Sequence, residues 1–139
     1  MIMRRPESGY REIEHTADWE LEVWAPDLTA LLEQAARGMY ALSGMHLHPD
    51  PRQTRRLEIQ SADAETLLVA FLSELLYYGE HEKLGFDRFN LSEKDFKLLA
   101  ELVGAPIARL DKEIKAVTYH NLAIRQTQNG FEANVVFDV

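Results

Sequence analysis

The chain has 139 residues, 46% of them hydrophobic and 27% charged, the size and composition of one globular domain rather than a disordered tract. It has no cysteine, which excludes disulfides, thiolate metal sites and a cysteine nucleophile. Its formal net charge of −8 works against tight, direct RNA binding, because phosphate backbones attract basic patches; a cation, a basic protein partner or simple solubility suits it better.

Residues 1–8 read as a loose, flexible start. Two arginines there are followed by no apolar stretch, so no secretory signal is expected and the expected compartment is the cytoplasm. Tyr10 to Glu14 reads as a short strand. After the polar break His15-Thr16-Ala17-Asp18, strict alternation begins. Trp19, Leu21, Val23 and Ala25 fall on one side, and Asp18, Glu20, Glu22 and Trp24 on the other, as in a half-buried strand. Pro26 stops it. Asp27 caps a helix with apolar residues at Leu28, Leu31, Leu32, Ala35, Met39 and Leu42, closed by Gly44. Met45 to Thr54 reads as a loop. Leu57 and Ile59 mark a strand. Asp63 caps a second helix, striped by Leu67, Leu68, Phe71, Leu72, Leu75 and Tyr78 and ended by Gly79.

Phe86 to Leu91 and Phe96 to Val103 read as strands, and Ala105 to Glu113 as a connection. Ile114 to Tyr119 is β-branched and aromatic, hence a strand. Leu122 to Thr127 and Phe131 to Val139 flank Asn129-Gly130, a hairpin signal. About seven strands and two long helices without strict alternation predict a single α+β domain over 1–139, its helices packed on a mixed or antiparallel sheet.

Four places could carry chemistry. Glu14-His15-Thr16-Ala17-Asp18 gathers two carboxylates, an imidazole and a hydroxyl at a strand junction. Asp18 suits a hard cation, and alternation turns Glu20 the same way. Two carboxylates on one face invite a cation or a raised pKa, and equally suit a solvated face. The sequence stops at Asp138-Val139 directly after an apolar strand, so a terminal carboxylate is expected beside the Asp138 side chain, ready for a cation or simply solvated. Lys115 lies on a strand, where it could pair with the acidic groups, contact a phosphate or guard an edge. His120 could serve as ligand or acid–base group, or only as a hydrogen-bonding residue. His46-Leu47-His48 would be a zinc fragment only with a third ligand, and none is evident. No nucleophile elbow, phosphate-cradling glycine loop or H-E-x-x-H motif is present.

These residues resemble a known family. Tyr10 to Asp18, an aromatic strand running into E-H-T-A-D, resembles the archease opening. Asp27 to Ala36 and Leu67 to Tyr77 resemble its two helices, Glu113 to His120 its E-V-K-A-V-T-Y-H block, and Val136 to Val139 its D-[VI] ending. The resemblance implies a compact α+β fold with a mixed sheet and two packed helices. It implies a partner, the RtcB-type RNA ligase of tRNA splicing, whose guanylylation and repeated turnover archeases promote, with tRNA reached only through the ligase and no membrane involved. It also implies a divalent cation, Ca²⁺ with Mg²⁺ or Mn²⁺ as substitutes, on Asp18, Asp138 and Val139, and a functional Lys115. The chain departs from the family pattern at Glu20, where a small residue is usual, and in 105–111, which lacks an acidic, proline-rich connection.

The resemblance makes the protein an activator without its own active site. Two other readings compete: a self-sufficient metal-dependent hydrolase built on the same carboxylates, and a general binding or chaperone-like module whose interface is an exposed Trp24 and the acidic charge.

Overall fold

The computed structural model describes residues 5–14 and 18–139. In chain order the elements are β1 (Gly9–Ile13), β2 (Trp19–Ala25), α1 (Leu28–Ser43), β3 (His46–Leu47), β4 (Gln53–Gln60) and α2 (Ala64–Glu82). There follow β5 (Leu84–Lys94), β6 (Lys97–Arg109), β7 (Ala116–Thr118), β8 (Arg125–Thr127) and β9 (Gly130–Asp138). The fold is α+β, as the sequence predicts. No described helix is long and apolar enough to cross a membrane.

The strands form two sheets rather than one mixed sheet, and every described pairing is antiparallel. In the first, the order is β1-β2-β9-β7, with β8 also on β9. In the second, β6 is central: β4 pairs with its residues 97–104 from one side and β5 covers the same stretch from the other. Helix α2 carries the chain from β4 to β5, which run parallel to each other. They are not neighbours, because β6 lies between them and turns both contacts antiparallel. This is why a crossover helix does not produce the parallel pair of a mixed sheet.

Local chemistry sets the helix ends. The Asp27 Oδ1 accepts from the Ala30 N–H at 2.8 Å and the Asp63 Oδ1 from the Thr66 N–H at 2.7 Å, each satisfying a donor with no partner inside its helix. The second bond holds the Asp63 carboxyl below its ordinary range. Gly44 closes α1 in the left-handed region at φ 64°.

Four local expectations are corrected. Helix α2 does not end at Gly79 but continues through Glu82, and Lys83 adopts the left-handed cap at φ 54°. A lone glycine costs a helix about 1 kcal/mol, too little to stop one already fixed by packing. Strand β6 runs through Pro106 to Arg109 instead of ending near Val103; proline there sacrifices only its own N–H, and its carbonyl still accepts from His48 N at 2.8 Å. The stretch 45–54 is not all loop, since β3 pairs with that same end of β6. The last hairpin turns at Gln128-Asn129, one residue earlier than the Asn-Gly signal, with Thr127 opposite Gly130.

One hydrophobic core joins everything. Leu21, Val23, Val135 and Phe137 come from the first sheet, Leu98 and Leu102 from the second, and Leu31, Leu32, Phe71 and Leu72 from the helices. The helices pack on each other, and each touches strands of both sheets. Glycine permits the closest approach: a Cβ on Gly38 of α1 would collide with the buried Leu21 side chain and come 2.9 Å from the Tyr10 ring.

Candidate functional site

The first sheet brings four of the flagged residues to one end. Ile13 stands opposite Glu20, Trp19 opposite Phe137 and Ala116 opposite Asp138. Glu14 therefore leaves β1, Asp18 enters β2, Asp138 closes β9 and Lys115 enters β7, all at the same end of four neighbouring strands. Continuing the register by one step sets Asp18 across from Asp138. The Lys115 N–H donates to the Asp138 carbonyl at 2.8 Å, fixing the two backbones together. All four side chains are exposed, while Val139 is half-buried against the core.

Among the described residues, neither the Asp18 nor the Asp138 carboxylate has a hydrogen-bond or ion-pair partner. Two carboxylates without donors, on adjacent strands, offer hard oxygen ligands of the kind Ca²⁺, Mg²⁺ and Mn²⁺ accept. Among the described residues no group of three His, Asp or Glu side chains gathers into a ligand cluster. His15 and its neighbours Thr16 and Ala17 lie outside the described residues.

Glu20 lies on the outward face of β2, where the alternation turns it. It is half-buried, and its Oε2 accepts from Asn134 Nδ2 at 2.6 Å. The Asn134 Oδ1 in turn accepts from Arg125 at 3.2 Å, and Arg125 reaches Glu132 at 3.5 Å. Glu20 thus belongs to a polar chain running across β2, β9 and β8. Asn134 was missed; its only signal was an amide on the outward-facing side of an apolar strand.

His120 is not brought to the carboxylates. It follows Thr118, which stands opposite Val136, so β7 carries it away from Asp138; its ring contacts Asn121 Nδ2 at 3.3 Å. Trp24 is not an exposed interface residue. Its indole N–H donates to the Pro6 carbonyl at 2.8 Å, and the Arg5 guanidinium lies 4.5 Å above its ring. Arg5 also bridges Glu22 at 3.0 Å and Glu132 at 2.9 Å, so residues 5 and 6 lie across the outer face of the first sheet. His46 and His48 acquire no third ligand among the described residues.

Sequence reading also missed a cleft of about 490 Å³ beside Lys115. It opens between the C-terminal halves of the two helices and the end of β6. Met39, Leu75, Ile107 and Ile114 supply apolar wall, and Glu113 and Lys115 stand at its charged side.

The sequence profile described as the Archease protein family matches residues 10–139. Protein archease of Methanosarcina barkeri is 32% identical over 139 residues, spanning 94% of this chain and 95% of its own. The fold is similar to the solution structure of a Methanobacterium thermoautotrophicum protein, with TM-score 0.69, 26% identity and coverage of 94% of this chain and 99% of that one. It is also similar to the crystal structure of an archease from Thermotoga maritima described as a possible chaperone. There the TM-score is 0.67 at 24% identity, covering 100% of this chain and 99% of that one, a likeness of fold.

Proposed function

The chain belongs to the archease family, and from that premise we propose that it is a protein activator of an RtcB-type RNA ligase rather than an enzyme. It works in the cytoplasm, promotes guanylylation and repeated turnover of the ligase, and meets tRNA only through that partner. The observation that carries this reading is the gathering of Glu14, Asp18, Asp138 and Lys115 at one end of the first sheet.

In this reading Asp18, Asp138 and Val139 hold a divalent cation, most naturally Ca²⁺. When bound, the cation offsets the paired carboxylates and offers a positive centre to phosphate oxygens. The chain's own groups do the rest. The backbone bond from Lys115 to Asp138 ties the two chain segments together at this sheet end, and Lys115, which lines the adjoining cleft, can contact a phosphate with its ammonium. The adjoining cleft gives a ligase side chain an apolar anchor. The covalent steps belong to the ligase.

Labelled GTP and purified ligase test the proposal. Label should accumulate on the ligase faster with the wild-type chain than without it, and Lys115→Ala should blunt the effect. Equal labelling with and without a folded chain would contradict it. Cation binding has a separate readout. Ca²⁺ should raise the melting temperature of the wild-type chain by mass action, and leave Asp18→Asn unmoved.

The description of the Thermotoga maritima protein as a possible chaperone favours a second reading, a holdase for processing enzymes. It predicts suppressed aggregation of the ligase that Asp18→Asn and Asp138→Ala leave intact.

A further inference from the structure

Strand β4 leaves one edge of the second sheet open. Its eight residues pair with β6 without a register shift, and among the described residues nothing pairs with its other side. The opposite edge, β5, is protected. A bulge interrupts it between Phe86 and Arg88, and Arg37 of α1 donates to the Asp87 carbonyl at 3.3 Å. No bulge interrupts β4; the Arg55 guanidinium donates to the Thr54 carbonyl at 3.0 Å, and beyond that point the regular edge from Arg56 to Gln60 is a template for another strand.

The side chains of β4 indicate which strand fits. Leu57 and Ile59 pack against the core yet remain half-buried, because nothing flanks them outside. On the other face stand the exposed Arg56 and Glu58. Let a second copy of β4 approach antiparallel, with Leu57 of both copies on the two-fold axis. Arg56 of each copy then faces Glu58 of the other, Thr54 faces Gln60, and the two Leu57 side chains meet. A surface that complements itself about a two-fold axis is what a closed, isologous dimer requires. Arg56 already pairs with Glu101 at 2.9 Å and Lys97 with Glu58 at 2.9 Å, so the contact extends two existing ion pairs into a continuous row.

We propose that two copies of this chain associate edge to edge through β4, centred on Leu57, merging their second sheets into one. The charge pattern argues for a second copy over a foreign strand, since each copy supplies both signs in the order the other needs.

Sedimentation equilibrium from micromolar to millimolar concentration tests this. The wild-type chain should show a reversible dimer. Arg56→Glu alone and Glu58→Arg alone each set like charges opposite and should weaken it at least about tenfold. Mixing the two folded variants should restore association. One then presents acidic side chains at both positions and the other basic ones, so opposite charges face each other again in the same register. A chain that stays monomeric throughout overturns the proposal. So does a dimer that both variants leave unchanged, or a mixture that associates no better than its components.

Discussion

Glu20 and Asp138 are both carboxylates on the outward face of the first sheet, and their surroundings differ. Glu20 is half-buried and accepts from Asn134, whereas Asp138 is exposed with no side-chain partner among the described residues. Asn134→Ala therefore removes a bond to a charged group and breaks the link to Arg125; thermal unfolding should show a loss of about 1–2 kcal/mol. Asp138→Ala should stay within about 0.5 kcal/mol of wild type. A large loss at Asp138 would mean that it holds the fold. The Asp87 carboxyl gives a pH signature, since the hydrogen bonds and charge of Arg52 hold it below its ordinary range. Because folding lowers that pKa, its contribution is present above the unfolded-chain value and disappears as pH falls through the folded one. Both partners are largely exposed, so solvent screens the pair and the effect is small. Asp87→Asn should be slightly less stable at neutral pH and should converge with wild type below about pH 4.

At the scale of elements, two glycines make opposite predictions. A Cβ on Gly38 meets the fully buried Leu21 side chain, which cannot move aside, and comes close to the Tyr10 ring, so Gly38→Ala should cost about 1–3 kcal/mol. A Cβ on Gly79 meets only Ile107 Cδ1, at 3.7 Å, an ordinary contact. Gly79 is inside a helix, so Gly79→Ala should stabilise by about 0.5–1 kcal/mol, read as a rise in melting temperature. The same residue shows why some boundaries were not legible in the sequence. Gly79 read as a helix end and 105–113 as a connection, but packing against neighbouring elements carried α2 and β6 past both boundaries. Signals satisfied locally were legible: the Asp27 and Asp63 carboxylates, the Gly44 cap and the alternation of β2 all act where the sequence placed them.

Over the whole molecule, the candidate site depends on strand order. Glu14 and Asp18 could be flagged from their own motif, Asp138 from its place at the end of an apolar strand, and Lys115 from its block. Their meeting could not be derived from spacing, since it follows from β9 sitting between β2 and β7. The bond between Glu20 and Asn134, and the cover that Arg5 gives Trp24, were invisible for the same reason: each joins segments far apart in the chain. A ligase partner is implied by the resemblance alone, because nothing in composition or periodicity names one.

The central claim is that this sheet end makes the ligase turn over, and a multiple-turnover ligation tests it most directly. A small amount of an RtcB-type ligase is mixed with RNA halves, GTP and divalent metal, with the wild-type chain, with folded Asp138→Ala, or with neither. The account predicts product well beyond one per ligase with the wild-type chain, and about one per ligase with the variant or with neither. Full turnover with Asp138→Ala, or none with wild type, would contradict it.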